Sequence, residues 1–405
     1  MKSWKSNYTA LLIAETLAIM GFGLSMPVIP LFLKYDIGIT DSVKLKTWVG
    51  AIQSSAAVAL ALFAPIWGHL ADTYSRRAML LRAMFGGAVI ISLMTFARSP
   101  WQLLVLRSIQ GCLTGTVAAA TVLTASITPA AQIAFALGLL QTGIAVGNSL
   151  GPLVGGVLSD FIGYRAAFFS TGIMLALAGF VVLKWVEDDV RPAPVKSTKK
   201  ISLIPDIKPI ASSPLLITLM LVVLGVNAAN TVISPMLPLF LMELARNPAE
   251  AAYIGSSTGI VLGVGAATTA IAAVLMGKFC SRIGYWKTLI FCLSAGAALT
   301  IPQAFVRNMY QLIVLRGMSA FFTGGTAPVI DSIIATSTEK EHQGTVYGFS
   351  SSVASVGNAV GPMIGSAVAI LSFRGVFLTT ALILGINSWQ TAIRRIKLRR
   401  QAGKQ

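Results

Sequence analysis

Charge is what this sequence has least of. Only 11% of its 405 residues are Asp, Glu, Lys or Arg, against 55% hydrophobic, whereas an ordinary soluble domain carries about a quarter charged residues. A soluble surface is therefore excluded, and the mean hydropathy of +0.77 agrees. Acids are scarcer than bases, 14 against 31, leaving a formal net charge of +17. Too few charges lie outside apolar runs to build a phosphate-binding face, so nucleic acid is not an expected partner. Three cysteines, Cys112, Cys280 and Cys292, and two histidines offer no disulfide framework and no metal-ligand spacing. The chain has no paired-histidine haem site, nucleotide loop or nucleophile motif either, so neither an enzyme nor a redox carrier is expected, and no cofactor.

What is there is a series of apolar runs. A helix needs about 20 mainly apolar residues to cross a hydrocarbon core of roughly 30 Å. Twelve such runs occur: Tyr8–Leu33, Trp48–Trp67, Ala78–Ala97, Trp101–Ile127, Ile133–Leu158, Arg165–Val186, Pro214–Leu241, Ala252–Met276, Lys287–Val306, Tyr310–Thr336, Gly344–Leu371 and Gly375–Ile393. The first follows a polar start with no small-residue cleavage site and is read as a retained helix. Cytoplasmic loops are enriched in Lys and Arg. With the N-terminus inside, 21 of the 31 bases fall on that side and eight outside, so both termini are expected in the cytoplasm. Arg107 and Arg316 remain within the membrane. The predicted organisation is a six-helix bundle over 1–186, a cytoplasmic linker over 187–213, a second six-helix bundle over 214–393 and a basic cytoplasmic tail over 394–405. The linker's basic part and the tail also suit anionic lipid.

The two halves repeat each other at an offset of 208 to 210. Pro27-Val28-Ile29-Pro30-Leu31-Phe32-Leu33 recurs as Pro235-Met236-Leu237-Pro238-Leu239-Phe240-Leu241, and Trp101-Gln102-Leu103-Leu104-Val105-Leu106-Arg107 as Tyr310-Gln311-Leu312-Ile313-Val314-Leu315-Arg316. Gly147-Asn148-Ser149-Leu150-Gly151-Pro152 recurs as Gly357-Asn358-Ala359-Val360-Gly361-Pro362. A duplicated six-helix unit follows.

These motifs resemble the major facilitator superfamily over essentially the whole chain. Gly68-His69-Leu70-Ala71-Asp72-Thr73-Tyr74-Ser75-Arg76-Arg77 is similar to its loop signature between the second and third helices, departing at Thr73 and Ser75. Arg107, Gln110 and Gly111 resemble its fourth-helix motif, and Gly23, Pro27 and Pro30 the first-helix motif of drug exporters. Gly138, Gly147, Gly151, Pro152, Gly155 and Gly156 match the spacing of its fifth-helix antiporter motif. The resemblance implies an all-α polytopic membrane protein of twelve transmembrane helices, two six-helix bundles related by a pseudo-two-fold axis. It favours the drug:proton antiporter branch, of bacterial multidrug exporter type.

The same residues have a direct physical reading. Gly147, Gly151 and Gly155 share a helix face and admit a neighbouring backbone, and Pro152 removes a donor, a place for a hinge. Because Gly348, Gly357, Gly361-Pro362 and Gly365 repeat the pattern, scaffold is preferred to a direct coupling role. Gly68, Asp72, Arg76 and Arg77 are expected to form a conformational latch, with Asp72 near the start of the third helix. In the second half Ser281 replaces Asp72, so the latch is one-sided.

Four charges lie inside runs: Glu15, Arg107, Arg316 and Asp331. Each costs at least about 2.5 to 3.5 kcal/mol at a helix centre. Glu15 corresponds to Val223 and Asp331 to Val122, so the repeat itself requires neither acid. A rise of about 1.5 Å per residue places both acids roughly 10 Å inside the cytoplasmic edge. The resemblance puts the first, fourth, seventh and tenth helices around the central cavity. Glu15 and Asp331 are accordingly expected to exchange protons, with Arg107 adjusting them. Arg107 lies nearer the outer face, so no direct salt bridge to Glu15 is expected. Asn227, Asn230 and Arg316 are candidates for the substrate cavity, the asparagines serving a substrate or a neighbouring helix.

The expected function is a proton-coupled secondary transporter of the bacterial cytoplasmic (inner) membrane. It would export small organic compounds, multiple drugs among them, by alternating access, as a monomer driven by the proton gradient. A dedicated metabolite or siderophore exporter, or a proton-coupled importer, is the alternative on the same fold.

Overall fold

The computed structural model describes residues 4–73, 75–187, 210 and 213–402. Among them are twelve helices long and apolar enough to cross a membrane: Trp4–Tyr35, Ser42–Phe63, Arg76–Met94, Pro100–Ile127, Ala130–Phe161, Tyr164–Trp185, Pro214–Ile233, Ile254–Cys280, Tyr285–Phe305, Met309–Ser337, Thr345–Leu371 and Phe373–Leu398. They are called the first to twelfth helices below. No strand occurs among the described residues. Most of the linker lies outside them.

Local chemistry sets where these helices stop. The first breaks between Leu24 and Val28, because Pro27 lacks the N–H that a continuing helix would need. The duplicate prolines stand at the same kind of break, where the seventh helix ends at Ile233 and a short helix resumes at Leu237. The fourth and tenth helices start with the same device at equivalent positions. Ser99 Oγ accepts the Gln102 amide and Gln102 Oε1 accepts the Arg98 amide; Asn308 Oδ1 accepts the Gln311 amide and Gln311 Oε1 accepts the Arg307 amide. Each pair satisfies two otherwise orphaned donors. At the start of the second helix Asp41 accepts the Lys44 amide at 2.9 Å, and this backbone bond holds its carboxyl below the usual carboxylate range.

The fourth helix breaks at Thr114-Gly115, where Gly115 has φ of 126°, a conformation that costs any residue with a Cβ. The equivalent tenth helix is interrupted only at Gly325, with φ of −71°.

The chain divides into two compact units, Met1–Ile201 with Leu241–Gly263, and Ser202–Phe240 with Val264–Gln405. The eighth helix begins in the first unit and continues in the second, although the repeat counts it wholly with the second half. Inside the first unit, a Cβ on Gly147, Gly151 or Gly155 would fall 2.9, 2.5 and 2.2 Å from backbone atoms of the first helix. Inside the second, Gly357 and Gly365 stand in the same relation to the seventh helix, at 2.6 Å from Leu224 O and 2.1 Å from Val232 O. Close backbone approach of this kind is how membrane helices gain dispersion contact without a hydrophobic driving force. Pro152 does not interrupt the fifth helix, which runs unbroken from Ile133 to Phe161.

Candidate functional site

Glu15 lies on the first helix and is fully buried, and neither carboxylate oxygen has a hydrogen-bond partner. The polar side chain beside it is that of Thr116. Thr116 is the first residue of the helical segment resumed after the Gly115 break. The break thus turns a helix start, with its unpaired amides, toward the level of the acid.

Arg107, also in the first unit, is 7% exposed and donates from Nη1 to Gln110 Oε1 at 2.9 Å. Its Nε and Nη2 have no partner. The structure therefore contains no Glu15–Arg107 hydrogen bond, in line with the depths read from the sequence. One turn apart on one helix, Gln110 fixes the guanidinium plane while leaving two donors to face a ligand, a water or a moving acid.

In the second unit Arg316 is half-buried. Ser319 takes the place of Gln110, and its hydroxyl bonds to the Arg316 carbonyl and to Gln303 Nε2. Asp331 is exposed, with the Tyr347 hydroxyl donating to its backbone carbonyl at 2.8 Å. The two acids expected to act alike thus differ in exposure, Glu15 being fully buried and Asp331 solvent-accessible. Asn227 donates to Val223 O at 2.8 Å, one turn back on its own helix, and Gly357 packs against its Cβ. Asn230 is exposed, with its side chain available to a ligand.

The basic loop corrects one expectation. Asp72 lies in the last turn of the second helix, which ends at Thr73, and not at the start of the third. The third begins at Arg76 because Ser75, in extended conformation, accepts the Ala78 amide at 3.1 Å and takes the capping position. The side chain of Asp72 and the surroundings of Gly68 lie outside what the structure describes. Arg77 Nη2 donates to the Leu183 carbonyl of the sixth helix, Arg76 is half-buried, and Arg82 stacks 3.5 Å over the Trp67 ring.

Of the fifth-helix glycines, Gly147, Gly151 and Gly155 meet the first helix, whereas Gly138 meets nothing. Gly156 faces the opposite way, its absent Cβ only 2.1 Å from Gly255 O, and Pro152 O stands 2.3 Å from that of Gly259. Two features escaped the sequence reading. Asp160, at the end of the fifth helix, accepts the Gly255 amide at 3.0 Å and the Ser256 amide at 2.6 Å. Arg165 pairs with Asp36 at 3.0 Å and donates to the carbonyls of Thr95 and Ala97, joining the ends of the first, third and sixth helices. Spacing by four at Gly255, Gly259 and Gly263 was a readable signal for the first; nothing local marked the second.

A family model described as Major Facilitator Superfamily matches residues 11–306 and 251–403. The multidrug resistance protein MdtG of Enterobacter lignolyticus (strain SCF1) is 35% identical over 392 residues, 96% of this chain and 92% of that protein. The protein of the same name from Proteus mirabilis (strain HI4320) is 33% identical over 391 residues, 96% of each. Among solved structures, a mutant of the nucleoside transporter NupG matches with a TM-score of 0.81 at 12% identity, over 95% of this chain and 99% of that one. A bacterial homolog to the human lysosomal transporter Spinster, inward-facing and unoccupied, matches at 0.79 and 15% identity, over 96% and 97%. The fold is that of a polytopic transporter with twelve membrane helices. The chain belongs to the major facilitator superfamily.

Proposed function

We propose that this protein exports small organic compounds, several drugs among them, across the bacterial inner membrane in exchange for protons. The name borne by its relatives, multidrug resistance protein, supports the substrate class. The bias of Lys and Arg supports an orientation with both termini cytoplasmic, and the repeat supports alternating access around a central site. It works as a monomer with no cofactor beyond the proton gradient.

The observation that carries the proton coupling is Glu15. A carboxylate removed from water with no donor costs on the order of several kcal/mol, and a bound proton relieves that cost. The acid therefore exchanges its proton when water or a cation reaches it in another state of the cycle. Arg107, with two donors unmet, is the group that meets the deprotonated acid or the substrate. Asp331, exposed, serves as the second acid, through water. Asn230 and Arg316 line the substrate path, and Asp72 with Arg76 and Arg77 latches the cytoplasmic side.

Drug accumulation in inverted vesicles, with and without an imposed proton gradient, tests this. Glu15→Gln is expected to abolish uphill export while substrate binding persists, and Asp331→Asn to lower its rate. Undiminished gradient-driven export by both variants would remove the coupling role.

A further inference from the structure

The eighth helix cannot cap itself. Its helical residues start at Ile254, so the capping position falls on Tyr253, whose side chain reaches no amide of the first turn as Ser, Thr, Asp or Asn would. The carboxylate that does the work comes from Asp160, 95 residues earlier, and it takes the amides of both Gly255 and Ser256. These are the second and third residues of the helix, the donors that a proper capping side chain would satisfy. The anion also faces the positive end of the helix dipole, and such charge-assisted bonds are about twice as strong as neutral ones.

The surroundings are built for parting as well as for contact. Gly156 meets the Gly255 backbone and Gly259 the Pro152 backbone, while Gly263 meets Ser149 O and the Leu153 side chain. Besides these glycine contacts, separation would give up the Leu153 side chain on Gly263 and the Phe161–Tyr253 ring pair, 6.1 Å between centres. On the orientation proposed above, this contact lies at the outer end.

We infer that Asp160 is a positioning residue of the transport cycle, a detachable cap that holds the start of the eighth helix against the end of the fifth in one access state and releases it in the other. This rests on the alternating-access reading. Replacing the charge weakens one state only. Loss of a bidentate, charge-assisted contact is expected to move the ratio of clasped to open molecules about tenfold.

The test uses full-length protein in lipid nanodiscs, with Cys112, Cys280 and Cys292 replaced by Ser and spin labels at Ile162→Cys and Ala251→Cys, two exposed positions flanking the clasp. Distances are read without substrate, and transport is assayed separately. Asp160→Ala and Asp160→Asn should each shift the population toward longer distances by about tenfold, and Asp160→Glu should recover most of the short-distance population. Adding Tyr253→Ser to Asp160→Ala restores a local cap but not the tie, so the long-distance population should persist, with Tyr253→Ser alone as the control for the lost Phe161–Tyr253 ring contact. Parent-like distances in both the Ala and Asn variants overturn the clasp. So does full recovery by Tyr253→Ser, because Asp160 would then be a cap and nothing more. If Asp160→Ala does not fold, Asp160→Asn and Asp160→Glu decide alone. A parent that transports no compound overturns the transport reading, while the distance ratio still decides the clasp.

Discussion

The first and second repeats agree in their scaffold and differ in their polar groups. Both seal one helix against another through glycines four residues apart, at Gly147, Gly151 and Gly155 and at Gly357, Gly361 and Gly365. Both start a helix with the same reciprocal side-chain cap, Ser99 with Gln102 and Asn308 with Gln311. The polar groups do not match. Arg165 binds Asp36 and two carbonyls, whereas its counterpart Arg374 stands 5.9 Å from the Phe305 ring centre, and the sequence has Leu244 and Ala304 at the positions equivalent to Asp36 and Thr95. Arg107 is oriented by a glutamine, Arg316 by none at that position. Glu15 and Asp160 have apolar counterparts, Val223 and Ile370. What the duplication repeats is packing; what it leaves unequal is where a chemical task belongs.

The comparison breaks first, if it breaks, at the glycines. Gly155→Val and Gly365→Val each place side-chain atoms inside a facing backbone carbonyl, and each should cost about 3 kcal/mol or more, read as loss of folded protein after extraction. Equal losses support the equivalence of the two seals, and tolerance of only one would refute it. Next in size is Glu15→Gln, with an expected fall in gradient-driven export of about a hundredfold and little change in thermal stability. The reciprocal Val223→Glu should supply no coupling to that variant, and recovered export would make the halves interchangeable.

Arg165→Gln should cost about 1 to 2 kcal/mol, since it removes a partly exposed ion pair and bonds to two carbonyls. Arg374→Gln should cost less than about 0.5 kcal/mol. Thermal unfolding of the two variants side by side measures the difference, and equal shifts would contradict the asymmetry. Smallest are the caps: Gln102→Ala and Gln311→Ala should each cost about 0.5 to 1 kcal/mol, alike within error.

Twelve helices were legible because a membrane demands some twenty apolar residues in a row, and because Pro27 and Pro235 announce their breaks. The Thr114-Gly115 break was not, since Thr323-Gly324 carries the same pair and only Gly115 adopts a positive φ. Asp72 reads from the sequence as a loop residue near the start of the third helix, whereas the second helix extends through it to Thr73 and Ser75 takes the capping position. Glu15 stood out as an acid in an apolar run, yet its complete burial and the exposure of Asp331 depend on neighbours far away in sequence. Asp160 was invisible for the same reason, because the amides it binds lie 95 and 96 residues ahead.

The glycine seals have one mechanical consequence. Where backbone lies on backbone, no rotamer remains to change and no side chain can re-pack, so two helices joined that way have lost nearly all freedom to slide or twist against each other. The first and fifth helices must then travel as one body, and the seventh and eleventh as another. Whatever bending transport requires is left to segments outside those pairs, and the unbroken course of the fifth helix through Pro152 is what such a rigid strut looks like. Amide exchange should accordingly be slow along both pairs in every state of the cycle.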